Sequence, residues 1–416
     1  MMRVCGGFTK SPQWAVVLDR APDRAADLRR LGRTVEGTLV NAPDSWAVDT
    51  DRTRMLRAKL VAELVRAGDI TDERWRHVFA TVPRHALVPR YYRADNYQEI
   101  DGTTGHDHPT WLRSVYSDET LITQKTTHTV TSSGTMPGLV ALMLRALNVH
   151  DHQRVLQIGT GTGYTAALLC ERLGSQHVTT IDIDPQLVQA ATTRLAAVGY
   201  RPTAIAGNGS HGYFPHAPYD RFLATCSLSR IPTAWLAQAR PGARVVAPIA
   251  KGLITLDVAD ENHAAGHFLS EGGYFMPLRD TAEDADNDTE HTATPQTDPR
   301  HTELGPRDTF YHQHMRFLIT VALPDLSVGQ HGPSLNDLII RDRAGSTARL
   351  DTTDHGTFLV TETGPRALWA EVEQLYQQWQ ACNQPHRERF GLSITPGRQW
   401  VWLDTPDGPH TWDLPA

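Results

Sequence analysis

Apolar positions in the first third of the chain recur every three to four residues, which is the period of an amphipathic helix. In the run DRTRMLRAKLVAELVRAG, which starts at Asp51, this spacing predicts a helix that ends at Gly68. Two more helices are predicted at 71–81 and 135–147, the second with a proline in its first turn. These helices are expected to form an N-terminal helical cover ahead of the first strongly apolar strand.

Proline and glycine interrupt this pattern between two of the predicted helices. The segment VPRHALVP contains two proline bends, and residues 102–109 are rich in turn-forming residues. We therefore expect 82–130 to be irregular and to form a lid. With the helices it makes an N-terminal helical and lid region over 46–150, whereas 1–45 lack periodicity and are expected to form a loosely ordered leader.

A different pattern begins at Arg154, where short apolar runs alternate with glycine turns and helical segments. The order is RVLQI, YTAALLCERL, VTTID, PQLVQAATTRLAAVG, TAIAG, DRFLATC, IPTAWLAQA and RVVAPI, followed by the strand-like runs LITLDVAD and HFLS. Such alternation implies a mostly parallel sheet with helices on both faces. We predict a Rossmann-like, doubly wound α/β domain over 151–279.

The remaining chain divides into an acidic and an apolar part. Residues 280–308 carry nine acidic residues and two arginines with few large apolar side chains, which predicts a linker. Beyond it, FLITVAL, LIIRD, TFLV and QWVWLD are predicted strands, and ALWAEVEQLYQQWQA is a predicted helix with an aromatic packing face. We expect a small C-terminal α+β domain over 309–416.

Composition and charge narrow the possible functions. Of the 416 residues, 40% are hydrophobic and 21% charged, and the net charge of −7 without a basic block disfavours nucleic acids and anionic membranes as partners. No stretch approaches the roughly 20 apolar residues of a membrane span, so a cytoplasmic protein is expected. Four cysteines without a CxxC pair indicate reduced thiols.

Candidate chemistry starts where the strand RVLQI meets GTGTGY. Gly159, Gly161 and Gly163 allow a sharp turn at the carboxyl end of a strand, so that a ligand can lie against the backbone near Thr160 and Tyr164. Dinucleotide sites usually show G-x-G-x-x-G, whereas G-x-G-x-G is more typical of S-adenosylmethionine enzymes. A tight turn that binds nothing is the alternative interpretation.

Two later segments complete a predicted cofactor site. Asp182, followed by Ile183, ends the next strand, where a carboxylate is suited to accept hydrogen bonds from a ribose diol. Asp184 competes for this role, but its position before a proline favours a helix N-cap. The run Gly207-Asn208-Gly209 follows the third strand and is interpreted either as a contact to the adenine edge or as an ordinary turn.

Several of these motifs together resemble the protein-L-isoaspartate O-methyltransferases. The matching segments are VPRHALVP, TVTSSGTMP, VLQIGTGTGYTAALL, TTIDIDPQLV, AGNGSHGYF and APYDRFLATCSLSRIPTAWLAQARPGARVVAPI, over about 52–250. With YSDETLITQ, YFMPLR and FGLSITPGRQWVWLD, the chain looks similar to the actinobacterial branch associated with ribosomally made, modified peptides such as graspetides, lanthipeptides and lasso peptides.

The resemblance implies methyl transfer from S-adenosylmethionine to an aspartyl or isoaspartyl carboxylate, whose ester can cyclise to a succinimide. The substrate is then a normal Asp of a modified precursor peptide, with 309–416 recognising it, or damaged isoaspartate in a general repair enzyme. The substrate-contacting hydroxyl falls on Thr135 in an ungapped comparison, or on Ser133 or Ser132 after a small shift. The alternative for this cluster is a cap of the following helix.

Two positions depart from the resemblance. Gln157 stands where the family usually has Glu, and Asn208 where it usually has Asp, so two negative charges near a cationic cofactor are missing and weaker cofactor binding is expected. A catalytically silent binding module is therefore a further alternative, and a nicotinamide oxidoreductase is disfavoured by the glycine spacing.

Histidines add no predicted chemistry. His106 and His108, like His312 and His314, form HxH pairs without an accompanying acid or cysteine pattern, so we interpret them as surface-loop residues and expect no metal site. His85 in VPRH is interpreted as a structural or pocket-wall residue.

Overall fold

The computed structural model describes residues 45–127, 129–281, 298–332, 334–353 and 356–415. Up to residue 44 the predicted leader lies outside the described residues, as do 282–297 of the predicted linker. No helix among the described residues combines the length and the apolar character that crossing a bilayer would need.

The described helices occur in both halves of the chain. They are α1 (Asp51–Ala67), α2 (Glu73–Thr81), α3 (Arg84–Leu87), α4 (His108–Val115), α5 (Pro137–Leu147), α6 (Tyr164–Leu173), α7 (Pro185–Ala197), α8 (Thr233–Leu236), α9 (Gln313–Ala322) and α10 (Leu368–Ala381).

The described strands form three sheets. They are β1 (Arg90–Tyr92), β2 (Glu99–Asp101), β3 (Leu121–Lys125), β4 (Val130–Gly134), β5 (Val155–Ile158), β6 (Val178–Asp182), β7 (Thr203–Ala206), β8 (Tyr219–Ala224), β9 (Ala239–Ile249), β10 (Gly252–Val258), β11 (Ala264–Gly272), β12 (Arg300–Thr302), β13 (Ser327–Gln330), β14 (Leu338–Arg341), β15 (Thr347–Thr352), β16 (Phe358–Thr363), β17 (Phe390–Thr395), β18 (Arg398–Leu403) and β19 (Thr411–Asp413).

The first predicted helix is confirmed, including both of its ends. The Thr50 side chain accepts a hydrogen bond from the Thr53 N–H at 3.2 Å, which satisfies a donor that the first turn leaves open. Gly68 ends α1 with a φ of 85°, a left-handed conformation that favours glycine. The buried face of α1 includes Leu60 and Leu64, as the helical spacing requires.

The prediction that residues 82–130 are irregular is wrong. This region contains α3 and α4 and, with β4, a four-stranded antiparallel sheet in the order β2-β1-β3-β4. Each of its strands has only three to five residues, which is too short for an alternating pattern to stand out. The hairpin of β3 and β4 brings the predicted hydroxyl cluster next to the main sheet.

The predicted Rossmann-like sheet is confirmed and is larger than expected. Its order is β19-β18-β17-β11-β10-β9-β8-β5-β6-β7, with β7, β6, β5, β8 and β9 running parallel. The carboxyl ends of these parallel strands lie at one edge, where α/β proteins bind their ligands. Strands β10, β11, β17, β18 and β19 extend the sheet in antiparallel fashion.

The C-terminal part is joined to the large sheet. Its own antiparallel sheet has the order β12-β16-β15-β14-β13, but β17 pairs with β11 of the preceding part. The predicted strand FLITVAL is helix α9, and the predicted linker contains β12. Trp369 and Trp379 are buried in the core and Tyr376 packs against it, as the predicted packing face required.

Candidate functional site

The turn after β5 has the conformation that its glycines allow. Gly159, Gly161 and Gly163 have φ angles of 92°, 51° and 91°, all in the left-handed region. A methyl group on Gly159 would lie 2.6 Å from Thr225 Oγ1, and one on Gly161 would lie 3.8 Å from Ser132 Oγ. A side chain at Gly159 would therefore collide with Thr225, whereas Gly161 has open space beside Ser132 of β4.

A first cavity opens at this turn. The space between its lining residues amounts to about 600 Å³, a figure that includes open solvent at its mouth. Its lining combines the glycine turn, the end of β6 and strand β4. The predicted residues that line it are Ser132, Ser133, Gly159, Gly161, Asp182, Ile183 and Gly209.

A second cavity lies on the other side of the glycine turn. Its polar wall comes from β4, from the loop before α5 and from the start of α6. The predicted residues that line it are Ser133, Thr135, Gly159, Thr160, Gly161 and Tyr164. The two cavities share Ser133, Gly159, Gly161 and Thr225, so they are neighbours across the turn.

Asp182 places its carboxylate at the first cavity. Its Oδ2 accepts a hydrogen bond from Gly161 N–H at 2.9 Å, and its Oδ1 accepts one from Asp184 N–H at 3.3 Å. Burial raises the pKa of this carboxyl, while the two N–H groups and the Arg279 charge oppose that rise. Asp184 caps α7, accepting from Gln186 N–H at 2.8 Å, which confirms the predicted N-cap.

The hydroxyl cluster lies on strand β4 and just after it. Ser132 is buried and accepts a hydrogen bond from Thr123 Oγ1 at 3.2 Å, whereas Ser133 lines both cavities. The N-cap of α5 is Met136, without a side-chain capping bond. The alternative that Thr135 caps this helix is therefore wrong.

Four predicted cofactor residues lie outside the lining of both cavities. Gly163 is the N-cap of α6, and Gly207 comes directly before Asn208, whose side chain accepts a hydrogen bond from Ser210 N–H at 2.8 Å. Gln157 is buried below the turn, where its Nε2 donates to Gly159 O at 2.9 Å. The amide of Gln157, which stands where the resemblance implied Glu, thus holds the glycine turn in place by a hydrogen bond.

Sequence analysis missed a segment that covers the first cavity. Residues 276–279, here called the strap, line the cavity opposite the glycine turn. Met276 O accepts from Ser227 N–H at 2.7 Å, and Leu278 N–H donates to Ser227 O at 2.8 Å. Arg279 reaches back to β4, where it donates to Thr131 O at 3.4 Å. The motif YFMPLR contains the strap, but it has no periodicity from which its place beside the cavity could have been predicted.

Arg84 was also missed, although it belongs to VPRHALVP. Its buried guanidinium donates to four backbone carbonyls, among them Val115 O at 2.8 Å and Thr135 O at 3.3 Å. It lies 5.4 Å from the centroid of the Tyr164 ring and lines the second cavity. Arg84 therefore ties the loop before α5 to the start of α6.

The histidines have structural surroundings. His85 is buried and bonded through Nδ1 to Tyr116 Oη at 2.7 Å, which agrees with a structural role. The surface-loop interpretation is wrong for His314, which is buried in α9 and stacks on His386 with ring centroids 4.4 Å apart. Among the described residues, no group of three or more His, Cys, Asp or Glu could hold a metal ion.

Comparison with known proteins assigns this arrangement to a family. The family model described as protein-L-isoaspartate(D-aspartate) O-methyltransferase matches residues 55–281, more than half of the chain. The chain belongs to the protein-L-isoaspartate O-methyltransferase family. The cofactor of this methyltransferase is S-adenosyl-L-methionine, and its reaction is carboxyl methylation of isoaspartyl protein.

Archaeal relatives match about half of the chain. The protein-L-isoaspartate O-methyltransferase of Hyperthermus butylicus is 31% identical over 214 residues, which cover 49% of this chain and 79% of that protein. Protein-L-isoaspartate O-methyltransferase 1 of Archaeoglobus fulgidus is 30% identical over 224 residues, covering 53% and 93%. A solved protein-L-isoaspartate O-methyltransferase structure is similar with a TM-score of 0.50 and 18% identity, covering 84% of this chain and 100% of that chain. This likeness shows the class I methyltransferase fold.

The chemistry of the residues that line the first cavity is compatible with S-adenosylmethionine. The missing side chain at Gly161 leaves room for a ligand to approach the backbone, and Asp182 is a two-oxygen acceptor for hydroxyl groups. Cys226 also lines the cavity, but burial and the neighbouring Asp182 charge raise the pKa of its thiol to about 12. Cys226 is therefore a neutral wall residue.

Proposed function

We propose that this enzyme acts on isoaspartyl residues of peptides and proteins in general, as a repair methyltransferase, and that the second cavity receives the isoaspartyl carboxylate. The observation that carries the proposal is that both cavities meet at Ser133 and at the glycine turn. A carboxylate in the second cavity would thus face a cofactor in the first. The family match and the archaeal relatives support this substrate class.

The chain's own residues need to do little proton chemistry. S-adenosylmethionine, when bound, supplies a methyl group that its positive sulfur already activates. A carboxylate is ionised above a pH of about 4 and needs no general base. Ser133 and Thr135 would orient it by donating hydroxyl hydrogen bonds, and such orientation can contribute ~7 kcal/mol or more to lowering the barrier.

Neutral donors suit this reaction better than a charged clamp. The carboxylate loses its charge as the ester forms, so a free cation beside it would stabilise the starting state more than the transition state. Arg84 lines the second cavity, but its Nη atoms already donate to four carbonyls. We assign Arg84 to holding Thr135 in position.

The test compares two peptides that differ only in one linkage. Purified enzyme with S-adenosylmethionine is offered an isoaspartyl peptide and the same peptide with a normal aspartyl residue, and methyl ester is measured by mass spectrometry. We expect ester on the isoaspartyl peptide only. Absence of ester on that peptide, with S-adenosylhomocysteine binding intact, would contradict the proposal.

A second candidate is methylation of a normal Asp in a cross-linked ribosomal precursor peptide, with 309–416 as its recognition part. The observation that favours it is that the family match ends at residue 281, while β17 continues the catalytic sheet. This candidate function includes two earlier expectations, the resemblance to the actinobacterial branch and a cytoplasmic location. Turnover of a cross-linked precursor, without turnover of the isoaspartyl peptide, would decide for it.

A further inference from the structure

The turn between β9 and β10 lies at the ligand-binding edge of the large sheet. Strand β9 runs parallel to β8, and β8 runs parallel to β5, so Ile249 at the end of β9 lies at the same edge as the glycine turn. Leu228, from the loop after β8, bridges to Ile249. The next residues, Ala250 and Lys251, therefore lie at the sheet edge that also carries the glycine turn.

This turn places a lysine in an unfavourable backbone conformation. Ala250 and Lys251 have φ angles of 50° and 64°, a combination that two-residue hairpin turns usually reserve for Asn-Gly or Gly. Such a conformation costs roughly 1–3 kcal/mol for a residue with a side chain. The choice of lysine here indicates that its side chain has a use.

Lys251 has a second cation as its neighbour. Burial, together with the charge of Arg316 on α9, lowers the pKa of Lys251 to about 8. Arg316 lies over the Tyr274 ring, with its guanidinium carbon 4.9 Å from the ring centroid. Neither cation forms a salt bridge with a described residue, whereas Arg366 is paired with Asp325, Asp342 and Glu371.

Two neighbouring, unpaired cations are unexpected in a chain with a net charge of −7. Tyr274 is exposed and lies two residues before Met276, where the strap over the first cavity begins. The Arg316–Tyr274 contact therefore joins the cations to the wall of the active site. Aromatic and arginine side chains together are typical of peptide-binding surfaces.

We propose that Lys251, Tyr274 and Arg316, here called the cationic patch, bind acidic side chains that flank the reacting residue in a peptide substrate. The proposal rests on the proposed function, since it assigns the sequence context that the same active site prefers. Within the described part of the chain, neither cation has a carboxylate partner. A carboxylate of a substrate side chain would supply one next to the strap.

The test uses two isoaspartyl peptides of equal length, one with Asp and Glu on both sides of the isoaspartyl residue and one with Asn and Gln there. KM and kcat are measured for the wild type and for the double variant Lys251→Met, Arg316→Met. We expect the double variant to raise KM for the acidic peptide about tenfold, with kcat and the neutral peptide nearly unchanged. The variant Lys251→Arg, Arg316→Lys should restore most of the wild-type KM.

The control is Arg398→Met, which removes an exposed arginine of β18 that pairs with Asp413 of β19. It should leave both KM values unchanged. Equal KM changes for the acidic and neutral peptides, or no change for either, would overturn the cationic patch.

A binding measurement separates this proposal from the proposed function. Fluorescence anisotropy with a labelled peptide that contains only normal Asp and Glu reports the patch without any methyl transfer. Tighter binding of this peptide than of its Asn and Gln counterpart, lost in the double variant, supports the patch even if no isoaspartyl peptide is methylated. Equal binding of both peptides by the wild type would overturn it.

Discussion

Gly159 differs from other left-handed glycines of the chain in what lies opposite its α-carbon. Gly199 has nearly the same φ, 91° against 92°, yet nothing lies within 4 Å of a methyl group built on it. At Gly159 the same methyl group meets Thr225 Oγ1, which donates to Ile158 O and Gly159 O. Alanine substitutions at the two glycines share the cost of a left-handed backbone. Only the substitution at Gly159 adds a collision with Thr225, so the comparison isolates the effect on the site.

We predict that Gly159→Ala weakens S-adenosylhomocysteine binding and that Gly199→Ala does not. Both variants should lose roughly 1–2 kcal/mol of stability through the left-handed backbone. Only Gly159→Ala also displaces Thr225, which lines both cavities. Calorimetric titration should show at least about a tenfold weaker affinity for that variant, and equal affinities for the two variants would refute the role of the turn.

Ser132 and Ser133 are adjacent, but their side chains have different surroundings. Ser133 lines both cavities, whereas Ser132 is 5% exposed and bonded to Thr123. We predict that Ser133→Ala lowers kcat about tenfold to a hundredfold, by analogy with the loss of one transition-state donor. Affinity for S-adenosylhomocysteine, measured on the same preparation, should stay within about twofold.

Ser132→Ala is the matched comparison for this prediction. It should mainly lower the melting temperature, because it removes the acceptor of Thr123. A larger loss of kcat in Ser132→Ala than in Ser133→Ala would reverse our assignment of the two hydroxyls.

Residue roles could be predicted where a local rule fixes them. The glycine turn and the Asp184 cap follow from backbone conformations and hydrogen bonds within a few residues. Arg84 could not be predicted, because its four acceptors lie 31 to 51 residues further along the chain. Gln157 was interpreted through its missing charge, but the structure shows its amide supporting Gly159.

At the scale of elements, helix α5 begins between two carboxylates. Asp118 Oδ1 accepts a hydrogen bond from Gly138 N–H at 2.6 Å, and a methyl group on Gly138 would lie 2.7 Å from Asp118 Oδ2 and 2.9 Å from Asp69 Oδ2. Burial raises the pKa of both carboxyls, and the charge of Asp118 raises that of Asp69 further. We therefore expect the stability of the start of this helix, which follows the hydroxyl loop, to depend on pH.

We predict that Asp69→Asn stabilises the protein at neutral pH. A raised folded-state pKa means that the folded protein holds the proton more tightly than the unfolded chain does. The carboxyl therefore costs stability once the pH rises through that pKa, and costs nothing below about 4. Despite the lost attraction to Arg145, the melting temperature should rise by about 2 °C at pH 7.

The pH series provides the control for this prediction. The difference between Asp69→Asn and the wild type should vanish in acid, since both side chains are then neutral. Asp95→Asn, which changes an exposed acid paired with Arg93, should show no comparable gain. A gain that persists unchanged at low pH would contradict the electrostatic cause.

The elements of the sequence differ in how well their patterns predicted them. Helix α1 and the parallel strands were predicted because each is long or apolar enough to show its period. The run FLITVAL was predicted as a strand but belongs to α9, because a short buried run without polar alternation fits either structure. The residues before it, with His312 as N-cap, decide for the helix.

At the scale of the whole molecule, one sheet joins the family's catalytic part to the C-terminal part. Strand β11 pairs with β17, more than 110 residues later in the chain. The core cluster contains Leu256 and Phe268 of the first part and Trp369 and Phe390 of the second. A domain boundary near residue 308 was predicted from the acidic run, but strand pairing between distant segments leaves no local signal in the sequence.

Gln399 on β18 makes the most specific link between the two parts. Its buried side chain accepts from Ile231 N–H at 2.9 Å and donates to Ile231 O at 2.7 Å, across 168 residues of chain. Ile231 lies in the loop between β8 and α8 of the catalytic part. The two bonds satisfy both backbone groups of a residue that is out of contact with water.

We predict that Gln399→Leu lowers the stability of the catalytic and C-terminal parts together. Two buried backbone groups lose their partners, which should cost roughly 2–3 kcal/mol or more, whereas the neighbouring exposed change Arg398→Ala should cost under about 0.5 kcal/mol. Scanning calorimetry should show one transition that moves down in Gln399→Leu and moves up in the wild type when S-adenosylhomocysteine is added. Two transitions, with only one responding to the ligand, would show that the C-terminal part unfolds independently of the site. In that case the shared sheet would not couple substrate recognition at α9 to cofactor binding at the glycine turn.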